Sequence, residues 1–148
     1  MKKGNGKIIC GYSGIGKSYF CKMNKDRAID LDSRWFEKKE GWEKMYIECA
    51  VALTHVYDYV LLTAHSSSVL LMDEIEDLKW YLVYPDITLK EEYRNRLEQR
   101  EEQTQGWIDA LIDFYENQIT KYNTLIKNAK KIVLQKSEYL NDVIEQIV

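Results

Sequence analysis

A single proline, Pro85, and three cysteines are all that this 148-residue chain holds of the two residue types that most constrain a backbone. With no proline-rich linker and no glycine- or serine-rich tract in its place, one domain over residues 1–148 is expected. The cysteines, Cys10, Cys21 and Cys49, are odd in number and lack the paired spacing of a metal site. That excludes a disulfide framework and points to reduced thiols, as in a cytoplasmic protein. No apolar run approaches the roughly 20 residues needed to cross a bilayer. Residues 1–7 are polar and only three apolar residues follow, so no signal peptide is expected. Nor is there an excess of positive charge, since the net charge is -3. A broad nucleic-acid surface is disfavoured on that balance. Any anion must be held locally, by a few placed cations and backbone N–H groups.

What is present is a core-forming composition, 45% hydrophobic, arranged so that strand-like and helix-like segments alternate. Strands are expected at residues 7–10, 27–31, 57–64, 80–84 and 131–135, where short apolar runs are bounded by turn residues. Helical spacing predicts helices over 17–23, 40–56, 66–78, 89–101, 107–126 and 138–147. In the second of these, Trp42, Met45, Cys49, Leu53 and Val56 form the expected buried stripe. Near-continuous apolar strands between helices imply an α/β fold, with a five-stranded parallel sheet and helices on both faces.

Residues 11–18 read G-Y-S-G-I-G-K-S and satisfy G-x-x-x-x-G-K-[ST] in full. Gly11, Gly14 and Gly16 let the backbone turn its N–H groups around an anion, with Ser13 and Ile15 between them. The helix that follows adds its positive end at Lys17, Ser18 and Tyr19. Lys17 is placed for the β and γ phosphates, and the Ser18 hydroxyl for Mg²⁺. The motif sits between an apolar strand and an amphipathic helix, the context that gives it meaning. ATP and Mg²⁺ are the expected ligands. Asn24, Lys25 and Asp26 superficially suggest a guanine-reading motif, but the spacing is one short and the position follows the first helix.

Asp30 and Asp32 end the second expected strand, two residues apart, and so face one side. In an open α/β sheet that end lines the ligand crevice. One carboxylate is then available for Mg²⁺, and the other to take a proton from an attacking hydroxyl or to orient the acceptor. The alternative for Asp32 is a helix cap. His65 follows the third strand at the same edge. Trp35 and Phe36 are placed to stack on a base or to fill the core. Arg96 and Arg100 share a helix face, suited either to a transferring phosphoryl group or to solvated pairing such as Glu92 with Arg96.

These pieces together resemble the small phosphate-loop kinases, a superfamily that includes nucleoside monophosphate, shikimate and gluconate kinases. The wording is closest to bacteriophage-encoded nucleotide kinase-like proteins, in G-x-G-K-S, I-D-L-D-S, Y-D-Y-V and V-Y-P-D-I-x-L-K-E-E-Y. The resemblance covers residues 7–101 and, more loosely, the last strand and helix. It implies a three-layer P-loop NTPase sandwich of strand order 2-3-1-4-5, with a lid over about residues 86–106. By similarity Asp30 serves Mg²⁺, Asp32 the acceptor, and Arg96 and Arg100 are lid arginines. The departures are a short chain, a plain charged lid helix, and Ala64–His65 where an aspartate-glycine step often stands.

The function expected is ATP-dependent phosphorylation of a (deoxy)nucleotide or nucleoside, with a (deoxy)nucleoside monophosphate foremost. A polynucleotide 5′-hydroxyl, another small metabolite, or ATP sensing without turnover are the alternatives. Lys17, Asp32, Arg96 and Arg100 are the expected catalytic residues, and Asp32, Trp35 and His65 the acceptor contacts. The expected partner is a small acceptor and neither nucleic acid nor membrane. The oligomer is a monomer or homodimer, and the compartment is the cytoplasm, or the host's if a phage encodes the chain.

Overall fold

The computed structural model describes residues 2–100 and 103–148. Its centre is β1, Lys7–Gly11, whose Ile8, Ile9 and Cys10 are fully buried. A strand covered on both faces carries no polar alternation, which is why the segment reads as an unbroken apolar run. On one side of β1 lie β3, Tyr59–Thr63, and then β2, Ala28–Leu31. On the other lie β4, Tyr81–Pro85, and β5, Lys130–Leu134. All pairs are parallel and the order is β2-β3-β1-β4-β5, the order expected from the resemblance. Helix α1, Lys17–Met23, contacts the C-terminal α7, Leu140–Val143. Helices α2, Trp42–Leu53, and α3, Ser66–Asp73, contact each other, and helices cover both sides of the sheet. Between β4 and β5 come α4, Lys90–Glu98, α5, Gln105–Asp113, and α6, Tyr115–Leu125. Among the described residues no helix is long and apolar enough to cross a membrane.

Register decides where chemistry can occur. Gly11 lies opposite Thr63 on β3, and Leu31 opposite Leu62, so β1, β2 and β3 finish at one level. The fully buried Tyr46 on α2 fastens that edge. Its hydroxyl accepts from the Thr63 N–H and donates to the Leu31 carbonyl, both at 3.0 Å. The two strand ends that carry Asp30 and His65 are therefore spaced by one phenol.

Several expectations are corrected. The stripe on α2 is rotated: Tyr46, Ile47, Ala50 and Val51 are buried, while Met45 and Val56 are exposed. Tyr46 wins because its hydroxyl satisfies two backbone groups at the strand ends. The helix expected over 107–126 breaks at Phe114, at φ -93 and ψ 6, into α5 and α6. Helix α5 packs on α4, whereas buried Tyr115 on α6 donates to the Asp86 carbonyl at 2.7 Å. Helix α3 stops at Asp73, whose carboxylate accepts the N–H groups of Lys127 and Asn128 at 2.8 and 2.9 Å. The last helix is one turn long. The helix expected over 89–101 is α4, and Glu101 lies outside the described residues.

Tyr46→Phe tests the clamp. Removing the hydroxyl leaves a buried N–H and a buried carbonyl without that partner, a loss of about 1–3 kcal/mol. The urea midpoint should fall with an unchanged slope, and an unchanged midpoint would show that the strand ends hold themselves.

Candidate functional site

The loop between β1 and α1 has the backbone that its glycines imply. Gly14 and Gly16 sit at φ 96 and 95, left-handed values that a side chain resists. A Cβ would also press on the Tyr93 ring from Gly14 and on the Tyr139 ring from Gly16, each at 3.2 Å. The Tyr12 N–H is tied to the Val83 carbonyl on β4 at 3.0 Å. Ile15, expected to touch the nucleotide, is instead fully buried, its N–H on the Tyr12 carbonyl at 3.4 Å and its carbonyl on the Leu140 N–H at 2.8 Å. Helix α1 starts with no side-chain cap on its first N–H groups. Uncapped donors at a glycine turn are what an anion completes.

Lys17 donates from Nζ to the Gly11 carbonyl at 2.9 Å. Burial lowers its ammonium to about 8, against the opposing pull of Asp30, and Arg100 lowers it further. Ser18 Oγ donates to Asp30 Oδ2 at 3.5 Å. Burial raises the Asp30 carboxyl above its usual range, against Lys17. A hydroxyl and a carboxylate are hard oxygen donors of the kind Mg²⁺ takes together with phosphate oxygens and water. The Ser18 and Asp30 pair therefore fits the expected metal.

Asp32 is both the cap that plain reading allows and a member of the site. It accepts from the Arg34 N–H at 2.8 Å and from the Arg34 guanidinium at 2.6 and 2.9 Å. Those hydrogen bonds hold its carboxyl below the usual range. A carboxylate so stabilised is a weak proton acceptor, so of the two expected roles the geometry favours orientation. The carboxylates open onto a cleft of about 390 Å³ that Ser13, Lys17, Ser18 and Thr63 also line. Arg34, Lys38 and Arg100 line it as well. His65 lines it too, its Nε2 at 2.9 Å from Ser33 Oγ. Burial, then Lys38 and Lys17, lower the imidazole, which is neutral at pH 7.

Arg96 is a correction. Its side chain is 8% exposed and does not line the cleft. It donates to the Gly14 carbonyl at 3.0 Å, to the Glu138 carbonyl at 2.8 Å and to Glu92 at 2.7 Å. The Tyr93 and Tyr139 rings lie 4.5 and 3.8 Å from its guanidinium carbon. It fastens the phosphate loop rather than facing a substrate. The other lid arginine, Arg100, does reach the cleft. Trp35 is 66% exposed and outside the lining, so the structure does not bring it to the acceptor side. Tyr19 is exposed on α1 beside Ser18. Sequence reasoning missed Arg34 and Lys38, which follow Asp32 by two and six residues.

Two predictions separate these roles. Arg96→Ala strands Glu92 and frees the loop, so unfolding free energy should drop by about 3 kcal/mol, whereas half-exposed Arg100→Ala should cost less than about 0.5 kcal/mol. Equal losses in denaturant titrations would return Arg96 to a solvated role. The second concerns pH. A bound triphosphate favours the Lys17 ammonium and raises its pKa, so above about 8 binding takes up a proton. The dissociation constant should then rise about tenfold per pH unit until the pKa of the complex is passed. Calorimetry from pH 7 to 10 checks this, and a flat profile refutes it.

No family model matches the chain, and no curated protein matches it. Among solved structures it is similar to a gluconokinase from Sinorhizobium meliloti 1021, at 11% identity and a TM-score of 0.49. That likeness covers 99% of this chain and 91% of the other. So remote a likeness carries no argument; the strand order 2-3-1-4-5 and the glycine loop between β1 and α1 are observed in the structure itself and are what the resemblance to P-loop proteins implied.

Proposed function

We propose that the chain is an ATP-dependent phosphotransferase whose acceptor is itself a phosphate ester, a (deoxy)nucleoside monophosphate. One observation carries the reading. Around the cleft, among the described residues, the four cations Lys17, Arg34, Lys38 and Arg100 face two carboxylates, Asp30 and Asp32, in a protein of net charge -3. The phosphate loop accounts for Lys17 alone. Cations at the ends of β2 and α4 are surplus to a donor triphosphate and suit a second anionic group.

Each side chain then has a task. Lys17 balances the charge of the β and γ phosphates. Ser18 and Asp30 would hold Mg²⁺, which when bound neutralises and orients the phosphate oxygens. Arg34 and Lys38 hold the acceptor's phosphate, and Asp32 keeps Arg34 in place. A phosphate monoester has a second pKa near 6 and is largely ionised at pH 7. Its oxygen attacks the γ phosphorus without losing a proton first. The bond from that phosphorus to the β-bridging oxygen breaks, and the diphosphate leaves with the electron pair. An Asp32 that Arg34 holds below the usual carboxylate range is consistent with this chemistry, because no proton needs a base. Arg100 meets the charge that spreads over the transferring group.

Lys17→Ala should abolish transfer without unfolding the protein, and retained turnover would end the reading. Arg34→Ala and Lys38→Ala should each raise KM for a nucleoside monophosphate about tenfold or more, the loss of one charge-assisted hydrogen bond. Asp32→Asn should act in the same way, with kcat less affected. The assay is labelled phosphate transfer to a panel of nucleosides and their monophosphates. A preference for the unphosphorylated nucleosides would overturn the acceptor assignment.

A further inference from the structure

Beside the polar cleft lies a second pocket of about 260 Å³, which shares Ser13, Thr63, His65 and Trp107 with it. Its character is different. Trp107 from α5 and Phe114 from the break between α5 and α6 supply aromatic wall, 39% and 65% exposed. Phe114 is exposed because the helix breaks there, at the point where α5 turns away from α6. Tyr12 and Gln118 complete the part that matters. Among the described residues three buried side-chain polar atoms lack a hydrogen-bond partner, and two of them are Tyr12 Oη and Gln118 Nε2. Such atoms are rare in folded proteins and ask for a partner from outside the chain. The carboxamide of Gln118 is held at its other end, where Oε1 accepts from Ser66 Oγ at 2.8 Å. Its orientation is thus set, with the amide donor left over.

The pocket's place in the fold says which ligand it serves. It opens at the ends of β1 and β3, through Tyr12, Ala64 and Ser66. Gly14 and Gly16 themselves are packed by Tyr93 and Tyr139, and Arg96 donates to the Gly14 carbonyl. The acidic pair and the surplus cations are on the pocket's side of the loop, sharing its cleft. Resting on the phosphotransferase reading, we propose that this pocket is the acceptor's base subsite: it takes the flat, carbonyl-bearing heteroaromatic ring of a nucleotide between Trp107 and Phe114. Gln118 Nε2 and the Tyr12 hydroxyl donate to the ring's carbonyl oxygens. The ring's π-face meets aromatic walls, as bases do on protein surfaces.

The test compares ligands that differ only in the ring. Wild-type protein is titrated by calorimetry with the four deoxynucleoside 5′-monophosphates and with 2-deoxyribose 5-phosphate, which keeps the phosphate and loses the base. At least one nucleotide should bind about tenfold or more tightly than the sugar phosphate, the contribution of one stacked base. Gln118→Leu and Phe114→Ala should each erase most of that preference, and thermal melts check that both variants fold. Equal affinity for nucleotide and sugar phosphate, or no binding by any nucleotide, overturns the subsite from the wild-type data alone. So does a preference that survives both substitutions. ATP binding by the wild type, titrated separately, judges the phosphotransferase reading. Its absence sinks that reading, whereas intact ATP binding without a base preference sinks the subsite only.

Discussion

Parallel pairing forces every strand to finish at the same edge, and the rest of this molecule follows from that constraint. Gly11, Leu31 and Thr63 end three neighbouring strands at nearly one level. Whatever residue comes next in each segment is delivered to one crevice. The chain spends those positions on a phosphate loop, an acidic pair with two cations behind it, and a histidine. The edge is itself a weak point, because strand ends have backbone groups without ladder partners. Tyr46 supplies them from α2, so a helix on one face of the sheet sets the spacing of the crevice.

Charge within the crevice is ordered by burial and by partner. Asp30 and Asp32 differ in environment although they are two residues apart. Burial raises the first, while Arg34 holds the second low. The result is one carboxylate suited to share a cation with Ser18 and another fixed as an anion that anchors a guanidinium. Lys17 completes the set as an ammonium that burial has brought down to about 8. An anion entering the loop stabilises that ammonium and offsets the cost of its burial.

The features legible from sequence are those carried by local patterns. The apolar run of β1 and the spacing of the glycine motif needed no partner to be recognised, and the strand order came with the resemblance that the motifs supported. What sequence could not show depends on residues that meet only after folding. Glu92 and Arg96 read as an exposed pair four residues apart. The guanidinium is buried instead, because Tyr139 and the Glu138 carbonyl arrive from beyond β5. Tyr46 was passed over for Met45 because periodicity scores apolar area and is blind to a hydroxyl at a strand edge. Phe114 reads as one more apolar position in a long helix. The break there is set by what α5 and α6 pack against, which lies in α4 and at the end of β4. Asp32 was read as either cap or site residue, and the two are compatible: capping the turn at Ser33–Trp35 is how it holds Arg34.

The position of Arg96 gives the lid segment a different meaning from the one its composition suggests. One guanidinium joins α4 to the Gly14 carbonyl and to the turn before α7, and Glu92 extends the link to the Ser137 N–H. Glu92 in the first turn of α4 and Arg96 in its last turn thus tie the helix to the glycine loop and to the segment before α7. Arg100 lies one helical turn further on, beyond the end of α4 at Glu98. It is free of that fastening yet faces the cleft. Two arginines four residues apart thus differ in task, one holding the loop and the other lining the cleft. A side chain that follows directly on an anchored helix end is placed with little backbone entropy left to lose. That arrangement lets the same segment hold the glycine loop in shape and set a cation at the cleft.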